Sequence, residues 1–232
     1  MDLSNIKDWV FDLDNTIYSP QKDIFGQIDK RMTKFITAKL KVNEDDAFKI
    51  QKKYFIKYGT TLAGLMKEDK VQPKDFLDFV HDIDLSCLSA DTELSSAIKQ
   101  LKGKKIIFTN GSKTHAEKVI SRLELNNVFD EIFDIEDSQF IPKPQIQAYL
   151  TFLKKLKLDP KKAIMFEDMS RNLVPAKKLG MTTVLIKREM PMKEKKYHFK
   201  EFEDLWKNNN EADYIVDDLV KFFNKYYKDS KK

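Results

Sequence analysis

Asp12 and Asp14 sit one residue apart in Asp12-Leu-Asp-Asn-Thr16, directly behind a short apolar run. Carboxylates so spaced, in the turn after a strand, can converge on one small volume. One can attack an electrophile while the other handles a proton. A turn-forming Asp-x-Asp or a helix cap looks the same in isolation. Three further patches add complementary chemistry. Thr109-Asn110-Gly111-Ser112 puts a hydroxyl before a glycine turn and a helix start, offering side-chain and backbone donors to an anion. The alternative there is an ordinary cap by Ser112. Lys143 stands between Pro142 and Pro144, a braced point charge suited to a phosphate or an attacking carboxylate. Glu167-Asp168 pairs two carboxylates, with Asn172 a helical turn on, a set that suits a hard cation such as Mg²⁺. A simple cap by Asp168 is the plainer reading. Together the patches supply a nucleophile, an acid/base, an anion clamp, a lysine and metal ligands, which is what phosphoryl transfer requires.

The elements that must hold these groups are legible from periodicity. Asp8–Leu13 reads as a buried strand ending in an acid. Ile24, Ile28, Met32, Phe35 and Ile36 recur at helical spacing, as do Ala47, Ile50, Tyr54 and Phe55, until Tyr58-Gly59-Thr60-Thr61 interrupts. Helices follow at Pro73–Val80 and from Asp91 to about Leu101. After Gly103 the pattern changes. Strands at Lys105–Thr109, Asp130–Ile135, Ala163–Phe166, Thr182–Ile186 and Tyr214–Val216 alternate with helices at Lys113–Leu123, Pro144–Leu156, Leu173–Leu179 and Asp218–Tyr226. Such alternation predicts βαβ units, a parallel sheet and helices on both faces. The expectation is a doubly wound α/β core over residues 1–17 and 101–232, with an all-helical insert over 18–100. Each patch then falls at or just after a strand end, on the rim where open α/β sheets bind ligands. Glu189–Ala212 reads as a charged surface excursion and Lys228–Lys232 as a frayed tail.

Composition removes other classes. The 232 residues are 41% hydrophobic and 12% aromatic, enough for a sizeable core and unlike a disordered chain. The net charge of +5 invites a nucleic-acid reading, but the only arginines are Arg31, Arg122, Arg171 and Arg188. The remaining basic residues are lysines interleaved with acids, whereas base readout and bidentate phosphate contacts favour arginine. No apolar run reaches the ~18 residues of a spanning helix, and the polar start does not read as a signal or transit peptide. The lone Cys87 excludes an intrachain disulfide, reads as a small packed residue, and fits a reducing, cytoplasmic setting. His81, His115 and His198 are dispersed without metal-ligand spacing, although His115 follows the Thr109 turn closely.

Asp12-x-Asp14-x-Thr16, Thr109, Lys143 and Glu167-Asp168, in this order, resemble the motifs of the haloacid dehalogenase superfamily of phosphohydrolases. The helical insert looks like that family's C1 cap. Asp12-Leu-Asp-Asn-Thr-Ile-Tyr18, Tyr58-Gly-Thr-Thr-Leu62, Thr109-Asn-Gly111, His115-Ala116 and Phe166-Glu-Asp-Met169 with Asn172-Leu173 resemble its pyrimidine 5′-nucleotidase branch. The resemblance implies an aspartyl-phosphate formed on Asp12, with Asp14 as acid and base. It implies Mg²⁺ on Asp12, the Asp14 main-chain carbonyl and Asp168, with Glu167 nearby. Thr109, Asn110, Gly111 and Lys143 would bind the phosphoryl group, and Tyr58, Thr60 and Thr61 in the cap would face the leaving group. Tyr58 could stack on a base. The acid at Asp14 separates the chain from dehalogenases, which lack one there. The implied substrate is a small phosphomonoester, without nucleic-acid polymer or membrane, handled by a monomer or homodimer. A phosphatase of small metabolites such as phosphoglycolate or sugar phosphates, or a phosphoglucomutase-like phosphotransferase, are the alternatives.

Overall fold

Short apolar runs bounded by polar turns become the strands of one sheet in the computed structural model, which describes residues 3–189 and 212–229. They are β1 (Asp8–Phe11), β2 (Lys104–Phe108), β3 (Glu131–Phe133), β4 (Ala163–Glu167), β5 (Thr182–Ile186) and β6 (Tyr214–Val216). Their order is β3-β2-β1-β4-β5-β6 and every pair is parallel. This is the Rossmann-like sheet expected from the alternation. Side chains alternate across β1: Trp9 and Phe11 join one core, Val10 the other. The first core includes residues of α5 (Thr92–Lys99), α6 (Lys113–Arg122) and the C-terminal helix α9 (Leu219–Asp229). The second includes α7 (Ile146–Leu156) and α8 (Ser170–Lys178). Burial on both faces is why these strands read as continuous apolar runs. Phe11 stacks on Phe166 of the neighbouring strand at 4.8 Å, and Phe108 on Phe152 at 4.5 Å.

The insert after β1 folds as α1 (Ile24–Leu40), α2 (Glu44–Tyr58), α3 (Thr61–Asp69) and α4 (Pro73–Val80), packed on one another. Asn43 caps α2, its side chain accepting from Asp46 N–H at 2.9 Å, and Glu44, Asp45 and Asp46 complement the helix dipole. Gly59, at φ 93°, ends α2; Thr60 then caps α3 by accepting from Ala63 N–H. The sequence showed the interruption at Tyr58–Thr61 but not the separate helix beyond it. Helix α5 lies within 18–100 by number, yet packs on α9, where Tyr227 donates to Ala97 O at 2.6 Å.

Several details depart from expectation. Helix α8 starts at Ser170 rather than Leu173, because its first turn, Ser170-Arg171-Asn172, is polar and so lacks an apolar signal. Lys228 belongs to α9, not to a tail. Cys87 is exposed rather than packed, its Sγ 3.3 Å from Lys22 O. Most of the Glu189–Ala212 excursion, with His198, lies outside the described residues. No helix among the described residues is long and apolar enough to cross a membrane.

Candidate active site

The C-terminal ends of the three adjacent strands β2, β1 and β4 deliver Thr109, Asp12 and Glu167-Asp168 to one crevice. Lys143 arrives differently. It sits far along the loop after β3, just before α7, not at a strand end. Its position comes from Asn110, whose side chain accepts from Lys143 N–H at 2.8 Å and donates to Lys143 O at 3.1 Å. The ammonium is buried and donates to Asp12 Oδ1 (2.8 Å), Glu167 Oε2 (2.7 Å) and Phe108 O (2.8 Å). All three of its protons are thereby committed. Lys143 orients the Asp12 carboxylate, and touching a further anion requires one of these bonds to be exchanged.

Asp12 is buried, which, with the Glu167 charge, pushes its carboxyl up to about 7 against the pull of Lys143. Burial works against the Lys143 charge too, but Asp12 and Glu167 outweigh it and raise the ammonium. Asp168 is driven well above the ordinary carboxylate value by burial, Glu167 and Asp12. Glu167 engages both oxygens, one with Lys143 and one with Met169 N–H.

Asp12, Glu167 and Asp168 bring carboxylate oxygens within 4.8 Å of one another. One ammonium faces three acids there. An all-oxygen donor set with excess negative charge fits a hard divalent cation. The Asn172 Oδ1, buried and without a partner, borders the same cavity.

Asp14 points to a different set of partners. Its Oδ1 accepts from Tyr18 at 2.6 Å and is 2.9 Å from His115 Nε2. Burial opposes its charge, yet His115 and Tyr18 outweigh burial and hold the carboxyl below its usual value. The His115 ring stacks on His81 at 4.4 Å, and His81 Nδ1 lies 2.9 Å from Ser112 Oγ. Burial, aided by His115, pushes His81 down to about 3. The histidines read as dispersed are thus two stacked rings against Asp14, joined by cap folding. Gly111 lies beside them: a Cβ there would make ordinary van der Waals contact with both rings, 3.5 Å from His115 Cδ2 and 3.7 Å from His81 Cε1.

The turn carrying Asp14 is held from below. Asn15 adopts φ 61°, a conformation Asn tolerates better than most residues. Arg188, from the loop after β5, donates to Asn15 O, Thr16 O and Tyr18 O at 3.2, 3.0 and 2.8 Å. Nothing in the local sequence marks Arg188 for this task.

Thr109 Oγ1 accepts from Gly111 N–H at 2.9 Å, which leaves its own proton to donate into the crevice. Gly111 N–H is thus engaged by Thr109, and the Asn110 side chain by the Lys143 backbone. Tyr58 does not line the cavity; its ring packs on Tyr54, one turn earlier on α2, and its hydroxyl donates to Glu68. Thr60 and Thr61 do line it. So do Asp29, Gln51 and Lys52, which the sequence did not single out.

Cap and core meet along two seams. On one, Arg171 of α8 donates to Gly59 O (2.7 Å) and Phe55 O (3.4 Å) and lies 4.2 Å over the Phe55 ring. On the other, His81 meets His115 and Ser112. Between them lies a cavity enclosing about 120 Å³.

A profile of haloacid dehalogenase-like hydrolases matches residues 9–180. The chain belongs to the haloacid dehalogenase-like hydrolases. Phosphate metabolism protein 8 of Saccharomyces cerevisiae is 28% identical to this hydrolase over 198 residues, covering 77% of it. The chain spans only 61% of that yeast protein. Glyceraldehyde 3-phosphate phosphatase of Methanocaldococcus jannaschii is 26% identical over 229 residues, 92% of this chain and 94% of the other. A HAD phosphatase from Thermococcus onnurineus shares the fold, with a TM-score of 0.60 at 19% identity over 95% of this chain and 98% of that one.

Proposed function

We propose that this hydrolase is a Mg²⁺-dependent phosphomonoesterase that works through phosphorylated Asp12, on nucleoside 5′-monophosphates with pyrimidines preferred. The supporting observation is the Lys143 ammonium, 2.8 Å from Asp12 Oδ1 and 2.7 Å from Glu167 Oε2, with Thr109 on the adjoining strand end. A carboxylate oriented this way beside hydroxyl and ammonium donors is equipped to attack phosphorus and to stabilise the charge that spreads over its oxygens.

Asp12, the Asp14 main-chain carbonyl and Asp168, with Glu167 beside them, are the residues that would hold Mg²⁺. The ion would offset repulsion between an anionic nucleophile and an anionic ester. An Asp12 oxygen bonds to phosphorus as the ester P–O bond breaks, and the departing oxygen takes a proton from Asp14. Water then returns a proton to Asp14 while its oxygen attacks phosphorus. The acyl-phosphate P–O bond breaks, phosphate leaves, and the Asp12 carboxylate is restored. Asp14 accepts at Oδ1 from Tyr18 and His115 in this conformation, so a proton must reach it before the leaving group departs. Thr109 and, after exchanging a bond, Lys143 grip the phosphoryl oxygens throughout.

The Methanocaldococcus relative, matched along nearly its whole length, favours a second reading: a phosphatase of a small phosphorylated metabolite. Phosphate release over UMP, CMP, glyceraldehyde 3-phosphate and 2-phosphoglycolate, with and without EDTA, separates the two. Asp12→Asn is expected to abolish release from every ester while leaving the melting curve close to wild type. Retained turnover in that variant overturns the mechanism.

A further inference from the structure

The cavity above the carboxylates has a divided character. Phe25, Ile28, Met32, Phe55 and Phe76 give it apolar walls, and the cap contributes the polar side chains Asp29, Gln51 and Lys52. Gln51 has no capacity to spare: Oε1 accepts from Thr33 at 2.6 Å, and Nε2 donates to Asp29 Oδ1 at 2.7 Å and Asp29 O at 3.3 Å. Lys52 is buried, donates to Asp29 Oδ1 at 2.5 Å and lies 4.8 Å over the Phe48 ring. Both side-chain bonds of Asp29 thus fall on Oδ1. No side chain among the described residues bonds Oδ2, a quarter of the Asp29 side chain is exposed, and the residue lines the cavity.

We infer that Asp29 is the specificity-determining group of the cap, accepting a hydrogen bond from an N–H or O–H of an uncharged leaving group and turning anionic leaving groups away. The inference rests on the phosphatase reading and narrows it. Lys52 and Asp29 cancel in charge, so the cap residues lining the cavity hold no spare cation for a carboxylate or a second phosphate, and a carboxylate is part of that lining. A neutral leaving group with a flat or apolar body fits the walls and can satisfy Oδ2 with a donor. That chemistry is that of a nucleoside and not of glycolate. A partly buried acceptor that meets a donor also penalises the analogue lacking it.

The experiment uses the full chain and three esters: UMP, which carries donors on a neutral leaving group; p-nitrophenyl phosphate, which carries none; and 2-phosphoglycolate, whose leaving group is anionic. Asp29→Asn is expected to lower kcat/KM for UMP about 10- to 100-fold, the range of one hydrogen bond to a charged group, mainly through KM. It should leave p-nitrophenyl phosphate within about twofold and raise the rate on 2-phosphoglycolate relative to UMP. Because Asp29→Asn leaves Lys52 buried without its counter-charge, the double variant Asp29→Asn/Lys52→Met removes both charges together. It should show the same loss of discrimination. Equal losses on all three esters, or unchanged preference for UMP in both variants, overturn the inference. Wild-type protein that releases phosphate from none of the three instead overturns the phosphatase reading on which it stands.

Discussion

Asp14 lies against two groups that share no strand with it: Tyr18, one turn on, and His115, at the start of α6. Both meet the same oxygen, so they fix which way the carboxylate faces as well as whether it is charged. Replacing His115 with Leu frees the carboxylate to turn and removes the donor. Turnover is expected to fall about 10- to 100-fold, the usual cost of losing a group that orients a reacting one, with KM nearly unchanged; Tyr18→Phe should act in the same direction. A KM effect alone would place His115 in binding rather than in positioning Asp14. At this scale the sequence was legible where chemistry lies at strand ends: Asp12, Thr109 and Glu167-Asp168 needed only the strand pattern to be brought together. It was opaque where tertiary folding supplies the partner. His81 and His115 are far apart in the chain and stack only because the residue that ends α4 reaches the start of α6, and the bonds of Asn110 to Lys143 and of Gly111 N–H to Thr109 have no local signal.

Between elements, close approach decides more than propensity. Gly64 of α3 packs so tightly on α2 that an added Cβ would lie 2.3 Å from Tyr54 Cβ. Gly64→Ala should therefore destabilise the cap by about 1–3 kcal/mol, despite the better helix propensity of alanine; denaturant melts of the two proteins give the sign directly. The edge strand β6 depends on a different device. Asp213 Oδ2 accepts from Thr183 N–H and Oγ1 at 2.9 Å, and Oδ1 from Lys177 at 2.9 Å, tying β6 to β5 and α8. Burial alone would raise this carboxyl, but Lys177 and Thr183 outweigh it and hold it below its ordinary value of 3.8. A group depressed in the folded state stabilises it above the ordinary value, and the contribution fades as pH falls through the depressed one. Asp213→Asn should thus lower the melting temperature at neutral pH and converge with wild type in acid. A gap that stays constant down to pH 2 would show that the charge is not what matters. The central strands and the amphipathic helices were legible from their apolar faces; α3 and the first turn of α8 were not, since α3 opens inside the Tyr58–Thr61 interruption and carries Gly64, and the first turn of α8 is polar.

For the molecule as a whole, the ends of the parallel strands present the candidate site residues and the inserted helices roof them. Those site residues come from short segments far apart in the chain, while the roof is a single continuous stretch. The two seams that join them differ in kind. At one, side chain meets side chain, His81 on His115. At the other, Arg171 reaches the carbonyl oxygens of Phe55 and Gly59. The two carbonyl bonds do not depend on which residues carry the oxygens, whereas the packing of the guanidinium 4.2 Å over the Phe55 ring does. Roof residues other than Phe55 and Gly59 can accordingly be exchanged without removing those two bonds. Cavity-lining roof residues such as Asp29 and Thr60 can thus be varied while the seam at Arg171 keeps its carbonyl bonds.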